Sequence, residues 1–250
     1  MSVRRTPGLA VWRELLTADV EKAKGFYGEL FGWRFQDMPM PDGTYTVISG
    51  AKREIAGVMQ LPMPELPTHW NTYISVEDVA ATAKAVTSGG GTLFYGPAEI
   101  PEVGTLLTFA DDSGAVMSAM CALSGDPEVA AQPSPGDFCW ETLSTQDKAR
   151  ALAFYGKVFG WKPQPGPGGE GSVFATDSGT MVADLQVMEG VAPHWLTYVL
   201  VESLDASRTR AEKLGGSVTV PRIEVPTVGS ISVIQDPAGA YLGLFQPLPG

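Results

Sequence analysis

Phe26-Tyr27-Gly28-Glu29-Leu30-Phe31-Gly32-Trp33 returns 128 residues later as Phe154-Tyr155-Gly156-Lys157-Val158-Phe159-Gly160-Trp161. A second pair, His69-Trp70-Asn71-Thr72-Tyr73 and His194-Trp195-Leu196-Thr197-Tyr198, recurs at a spacing of 125. Two different motifs at nearly one spacing mean that whole domains repeat, so the 250-residue chain is a tandem duplication. Copies of about 125 residues are long enough for each to bury its own core.

Outward from the first motif, Val11 to Leu16 reads as a strand, and Asp19 is placed to cap a helix whose stripe is Val20, Ala23, Tyr27, Leu30 and Phe31. Gly32 ends that helix. An extended stretch from Trp33, a Pro-Asp-Gly turn at Pro41 to Gly43, and strands near Tyr45 to Ile48 and Ile55 to Gln60 follow. The order β-α-β-β-β repeats at once. Trp70 to Val76 is a strand, Asp78 opens a helix to about Thr87, Gly89-Gly90-Gly91 stops it, and strands fit Thr92 to Tyr95, Gly104 to Ala110 and Ala115 to Met120. The third module starts at Phe138, with a Gly-Pro-rich segment, Pro163 to Gly171, in place of the earlier turn. The fourth starts at His194 and carries Leu204, Ala211 and Leu214 on a helix closed by Gly215-Gly216. The chain therefore reads as four modules, at about 9–65, 67–124, 137–190 and 192–248. They form domains at 1–124 and 137–250, joined by a linker at 125–136 with linker composition.

The formal charge is −11, from 28 acidic and 17 basic residues, and basic residues run together only in short pairs such as Arg4-Arg5 near the start. Nucleic acid and anionic membrane surfaces are repelled on average, so neither is an expected partner. No apolar run approaches the roughly 18 residues of a spanning helix, and no signal segment follows the N-terminal arginines, so a cytoplasmic protein, monomeric or homodimeric, is expected. Cys121 and Cys139 are the only cysteines and give neither a disulfide framework nor a CxxC motif; both read as buried thiols.

A helix ending in FYxxxFGW, a strand from His69 to Glu77 of HWxxYxxVxD type, a Gly-Gly helix stop, and a DPxG-like turn at Asp111 to Gly114 and Asp236 to Gly239 together resemble the vicinal oxygen chelate superfamily. That group includes glyoxalase I, bleomycin-resistance proteins, fosfomycin-resistance enzymes and extradiol dioxygenases. The nearest resemblance is to two-domain actinobacterial glyoxalase-like proteins. It spans roughly residues 9 to 248 and implies an α+β fold of four βαβββ units, forming two tandem glyoxalase-like domains with cup-shaped mixed sheets.

Metal-using members take His or Gln from first strands and Glu from last strands, because divalent cations need such side chains converging. Here the resemblance places those positions at Trp12 and Trp140, Asn71 and Leu196, and Ser118 and Gly243. None is a good ligand, so no metal and no cofactor is expected. Glu14 and His69 lie two residues from such positions, on the same strand faces. They are the candidates for a general base and acid if the protein is an enzyme.

Strand alternation turns Trp12, Glu14 and Leu16 one way, with His69, Asn71, Tyr73 and Ser75, and leaves Trp70, Thr72, Ile74 and Val76 toward the helices. In the second copy Trp140, Thr142 and Ser144 face with His194, Leu196, Tyr198 and Leu200. Tyr241, Gly243 and Phe245 complete that wall. Candidate ligand-binding residues are therefore Trp12, Glu14, His69, Asn71, Tyr73, Trp140, Thr142, His194, Tyr198 and Tyr241. Taken singly, such rings are as often core as site. Several on one concave face, with a carboxylate among them, suit a flat or amphipathic small molecule, and the carboxylate suits a cationic group. The first copy reads as the more polar, since Thr142 and Leu196 stand at Glu14 and Asn71.

Three functions stay open: a metal-independent protein sequestering an aromatic or antibiotic-like compound, a glyoxalase-like lyase or isomerase or dioxygenase using a divalent metal, and an interaction module without a small ligand. Nothing resembles a nucleophile elbow or phosphate loop, because Gly89-Gly90-Gly91 sits at a helix end.

Overall fold

A computed structural model describes residues 3–40, 43–127, 132–166 and 172–248. The first module holds β1 (Ala10–Thr17), α1 (Val20–Phe31), β2 (Arg34–Met40), β3 (Gly43–Ser49) and β4 (Glu54–Gln60). The second holds β5 (His69–Ser75), α2 (Val79–Ser88), β6 (Thr92–Ile100), β7 (Gly104–Ala110) and β8 (Val116–Ala122). The third holds β9 (Phe138–Thr145), α3 (Lys148–Phe159), β10 (Lys162–Pro165), β11 (Ser172–Ala175) and β12 (Met181–Val187). The fourth holds β13 (His194–Leu200), α4 (Leu204–Lys213), β14 (Ser217–Val225), β15 (Gly229–Gln235) and β16 (Tyr241–Pro247).

Strand order is β2-β3-β4-β1-β5-β8-β7-β6 in one eight-stranded sheet and β10-β11-β12-β9-β13-β16-β15-β14 in the other. Hairpin strands pair antiparallel, whereas β1 and β4, like β5 and β8, pair in parallel across their helices, so both sheets are mixed. The fold is the expected α+β arrangement.

The helices form for the local reasons the sequence gives. Asp19 accepts from the Lys22 amide and Asp147 from the Arg150 amide, while Gly32 and Gly160, at φ 72° and 71°, close the other ends in the left-handed region. Asp78 and Ser203 cap α2 and α4 in the same way.

Two differences from the sequence reading concern edge strands. β6 runs on to Ile100 rather than stopping at Tyr95, because its outer edge is unpaired and Pro97 owes no ladder bond there. The Gly-Pro-rich segment begins as edge strand β10, for the same reason, and its residues 167–171 lie outside the described residues. So do residues 41–42 of the first turn and 128–131 of the linker. Cys121 and Cys139 form no disulfide and are half-buried rather than buried.

The chain condenses into two compact units that do not follow its halves. One comprises Met1–Val11, Asn71–Val129 and Glu141–Trp195, the other Trp12–Trp70, Ala130–Trp140 and Leu196–Gly250. In the first unit Ile74, Val86, Leu107 and Phe109 of the second module share a core with Leu143, Phe154, Tyr155 and Phe174 of the third. In the second unit Leu15, Phe26, Tyr27 and Ile48 of the first module share one with Val199, Leu204, Ile234 and Leu242 of the fourth.

The repeated motifs are the parts of this pairing. In the second unit the Tyr27 hydroxyl donates to Asp236 (2.9 Å) and accepts from the Trp70 indole N–H (3.0 Å). In the first unit Tyr155 donates to Asp111 (3.0 Å) and accepts from Trp195 (2.7 Å). Each aspartate also accepts two backbone amides of its own turn, Ser113 and Ala115 or Ala238 and Ala240. The glycine pairs complete the fit: a Cβ on Gly91 would lie 2.9 Å from the Phe154 ring, and one on Gly216 3.0 Å from Phe26. Phe-Tyr on one helix, Trp on a first strand, and Gly-Gly and Asp on the partner module thus form one buried lock, made twice.

Candidate functional site

The strand faces turned away from these cores carry the candidate residues, and each unit is taken by itself. In the second unit the half-buried Trp12 indole donates to the Tyr45 hydroxyl at 2.9 Å. Tyr45 in turn hydrogen-bonds Glu14, which is 7 % exposed. The phenol is pushed well above its usual range, first by burial and then by the Glu14 charge, so it keeps its proton and donates to the carboxylate.

Tyr45 reaches this place because β4 carries glycine opposite Glu14. Gly57 pairs with Glu14, and a Cβ there would stand 2.0 Å from the Tyr45 hydroxyl oxygen. Indole, phenol and carboxylate form one fixed chain from β1 to β3, passing over Gly57 of the intervening β4. Sequence reasoning missed Tyr45 and Gly57. A glycine inside a strand marking a close approach was the available signal.

Glu14 and His69, the candidate base and acid, each have a partner of their own. The hydroxyl partner of Glu14 is Tyr45, while His69 turns its Nδ1 back to the Pro67 carbonyl at 2.7 Å. His194 does the same with Ala192, at 2.9 Å, and is exposed. The histidines share a turn geometry.

Also in the second unit, half-buried Trp140 packs on a small apolar cluster of Leu196, Tyr198 and Val233, joined by Ile231 and Phe245. Tyr198 lies flat against bare backbone, since a Cβ on Gly243 would stand 2.2 Å from its ring. Tyr241 is 51 % exposed.

In the first unit Asn71, 4 % exposed, donates from Nδ2 to the Ser118 hydroxyl at 2.7 Å, and Ser118 bonds Thr108 at 2.7 Å. The chain of polar groups ends at Asn71 Oδ1, which is buried without a hydrogen-bond partner. Tyr73 stands two residues on, also buried. Thr142 donates to Asp184, its register partner on β12, and Gln186 bonds the other carboxylate oxygen at 3.3 Å. Glu14 opposite Gly57 thus becomes Thr142 opposite Asp184: the carboxylate has changed strands. The second copy is not the less charged one that Thr142 alone suggested.

An unpaired buried acceptor costs roughly 1–3 kcal/mol. Asn71→Leu is accordingly expected to leave the melting temperature unchanged or raised, because Ser118 keeps Thr108. A drop of several degrees would show that Oδ1 has a partner inside the fold.

Among the described residues no three His, Cys, Asp or Glu side chains gather as a metal-binding group. The six family positions do not fit a divalent ion either. Two are indoles and one is leucine, the Ser118 hydroxyl is engaged by Asn71 and Thr108, and the space above Gly243 is filled by the Tyr198 ring, which leaves the amide oxygen of Asn71 as a single neutral donor.

Residues 10–51 match the family model for the N-terminal part of bleomycin-resistance-like proteins, and residues 140–245 match that of a glyoxalase-like domain. CFP32 of Mycobacterium tuberculosis, which is named as a glyoxylase, is 32% identical over 97% of this chain and 96% of its own length. DauV of Streptomyces sp. strain C5, named for anthracycline biosynthesis, is 31% identical over 97% of this chain and 94% of its own. The Mn(II)-bound glyoxalase of Novosphingobium aromaticivorans shares the fold with TM-score 0.62 at 14% identity, over 99% of this chain and 84% of that one. Four modules, two mixed sheets and full-length relatives place the chain in the vicinal oxygen chelate superfamily, among its two-domain glyoxalase-like proteins.

Proposed function

We propose that the protein binds a flat aromatic, antibiotic-like compound without a metal and acts by sequestering it. The observation that carries this is the Trp12–Tyr45–Glu14 chain: an indole stands where metal-using relatives place a ligand, and it is held in orientation by a phenol that a buried carboxylate anchors. An aromatic surface fixed before binding loses little entropy when a ring stacks on it. The likeness to a protein named for anthracycline biosynthesis supports a polycyclic aromatic ligand. The residues at the family's ligand positions support this reading over a metal-using lyase, isomerase or dioxygenase.

The test is titration of the full chain with an anthracycline, read by tryptophan quenching and melting temperature. Trp12→Ala should weaken binding roughly ten- to a hundredfold, as for loss of a buried aromatic contact of about 1.4–3 kcal/mol. Trp12→Phe should keep most of it. Unchanged affinity in Trp12→Ala, with a lower melting temperature, would make Trp12 a core residue. Purified protein holding about one divalent metal per chain, in the range of a structural or catalytic site, would favour the metal-using enzyme.

A further inference from the structure

Arg5, in the N-terminal segment of an acidic chain, leads to a second site. In the first unit a cavity of about 340 Å³ opens between the N-terminal segment and the turn joining β11 to β12. Arg5, Thr6, Pro7 and Leu9 form one wall. Thr176, Ser178 and Thr180 form the other. The lining holds one guanidinium, four hydroxyls and no carboxylate.

Asp126 stands behind this wall without saturating Arg5. Its Oδ2 accepts from the Thr6 amide, from the Thr6 hydroxyl (2.9 Å) and from the Ser75 hydroxyl (2.7 Å). Arg5 Nη1 lies 3.9 Å from the other oxygen, too far for a hydrogen bond, and is buried with no hydrogen-bond partner. Nη1 thus faces Asp126 as an ion pair whose Oδ1 is buried and without a hydrogen bond as well, and it is the rest of the guanidinium, on a side chain 26 % exposed, that lines the cavity.

Both walls are fixed before anything binds. The Gly8 amide donates to the Ser75 carbonyl (2.9 Å), and Trp161 donates to the Gly8 carbonyl (2.9 Å). Gly8 stands at φ +85°, and a Cβ on it would lie 3.0 Å from the Trp161 indole nitrogen. Opposite, Thr176 and Ser178 hydroxyls lie 2.8 Å apart, with Ser178 and Thr180 at 3.2 Å. Hydroxyl protons turn freely to an incoming acceptor, and the guanidinium fork matches the paired oxygens of a carboxylate or phosphate. Pro7 and Leu9 offer apolar contact beyond the polar end. The other copy does not repeat the lining: Pro133 stands 128 residues on from Arg5, and the corresponding turn is Gly50 to Arg53.

We infer that this cavity binds a small organic oxyanion, a carboxylate or phosphate monoester, whose charged end meets Arg5 and the turn hydroxyls. The test is the melting temperature of the full chain titrated with sodium benzoate, inorganic phosphate or chloride at matched ionic strength. Benzoate or phosphate should raise it saturably and chloride should not. The stronger of the two names the carboxylate or the phosphate class. Arg5→Gln should weaken the effect roughly tenfold or more, by the loss of a charge-assisted pair, and Arg5→Lys should keep part of it. Ser178→Ala, on an exposed turn, should weaken it several-fold and leave the anion-free melting temperature in place. No saturable shift with either anion, or equal shifts in Ser178→Ala and Arg5→Gln as in the parent chain, would overturn the inference. Should Arg5→Gln fail to fold, Ser178→Ala decides alone.

Discussion

Produced as separate polypeptides, residues 1–127 and 132–250 are expected to be insoluble or self-associated, and to regain one cooperative transition when co-expressed. Each half carries one module of each compact unit, so each alone exposes both of its helix-side faces. The first half would leave Phe26, Tyr27 and Ile48 without Val199, Leu204 and Leu242, and Ile74 and Phe109 without Phe154 and Phe174. Burial of one such side chain contributes about 1.5–3 kcal/mol, and whole domains are stable by only about 5–15 kcal/mol. Losing several partners in both cores therefore exceeds the stability of either half. The check is size-exclusion chromatography and thermal melting of each half and of the co-expressed pair. A half that is monomeric and melts within a few degrees of the full chain would show that sequence halves are self-sufficient.

Asp236→Ala should cost about 3–5 kcal/mol, because it strips the Tyr27 hydroxyl and two backbone amides of their acceptor inside the core. Tyr27→Phe should cost about 1–3 kcal/mol, since the Asp236 turn survives. Chemical denaturation at neutral pH measures both; a loss below 1 kcal/mol for Asp236→Ala would remove the lock from the account.

The same tyrosines set an alkaline limit. Burial, then the neighbouring aspartate, holds the Tyr27 and Tyr155 hydroxyls well above their ordinary range, and Tyr45 is held likewise by burial and Glu14. The unfolded chain releases these protons near pH 10, whereas the folded chain keeps them. Their contribution is thus fully present below about pH 10 and is lost as pH rises further, by roughly 1.4 kcal/mol per pH unit for each tyrosine. Tyr27→Phe should be the weaker protein at pH 7 and should lose less between pH 10 and 11. Parallel stability curves would contradict this.

What the sequence disclosed was local or periodic. Asp19, Asp147, Gly32 and Gly160 announce helix ends by themselves, and the alternation Trp70, Thr72, Ile74 marks a helix-facing side, because caps and strand periods need no partner. Partners stayed hidden. Phe26-Tyr27 says that a face is buried but not against which module, and the lock to Asp236 lies 209 positions away. In the candidate site Trp12 and Glu14 were legible as a strand face, whereas Tyr45 and Asp184 required the register between strands. The local contact of His69 was hidden for a similar reason, since a turn two residues long decides where its Nδ1 points.

Gly57 and Gly243, each lying under a tyrosine ring, also bear on how such a protein can change over generations. A carboxylate at 243, where metal-using relatives carry one, has no room while Tyr198 remains. Shrinking Tyr198 first opens a hole in its cluster, at about 3–5 kcal/mol for a large buried ring, and placing the glutamate first sets a charge against an aromatic face. Either single step descends in fitness before the second can compensate, so the ring acts as a ratchet. With Tyr198 in place, position 243 is closed to a metal-binding carboxylate.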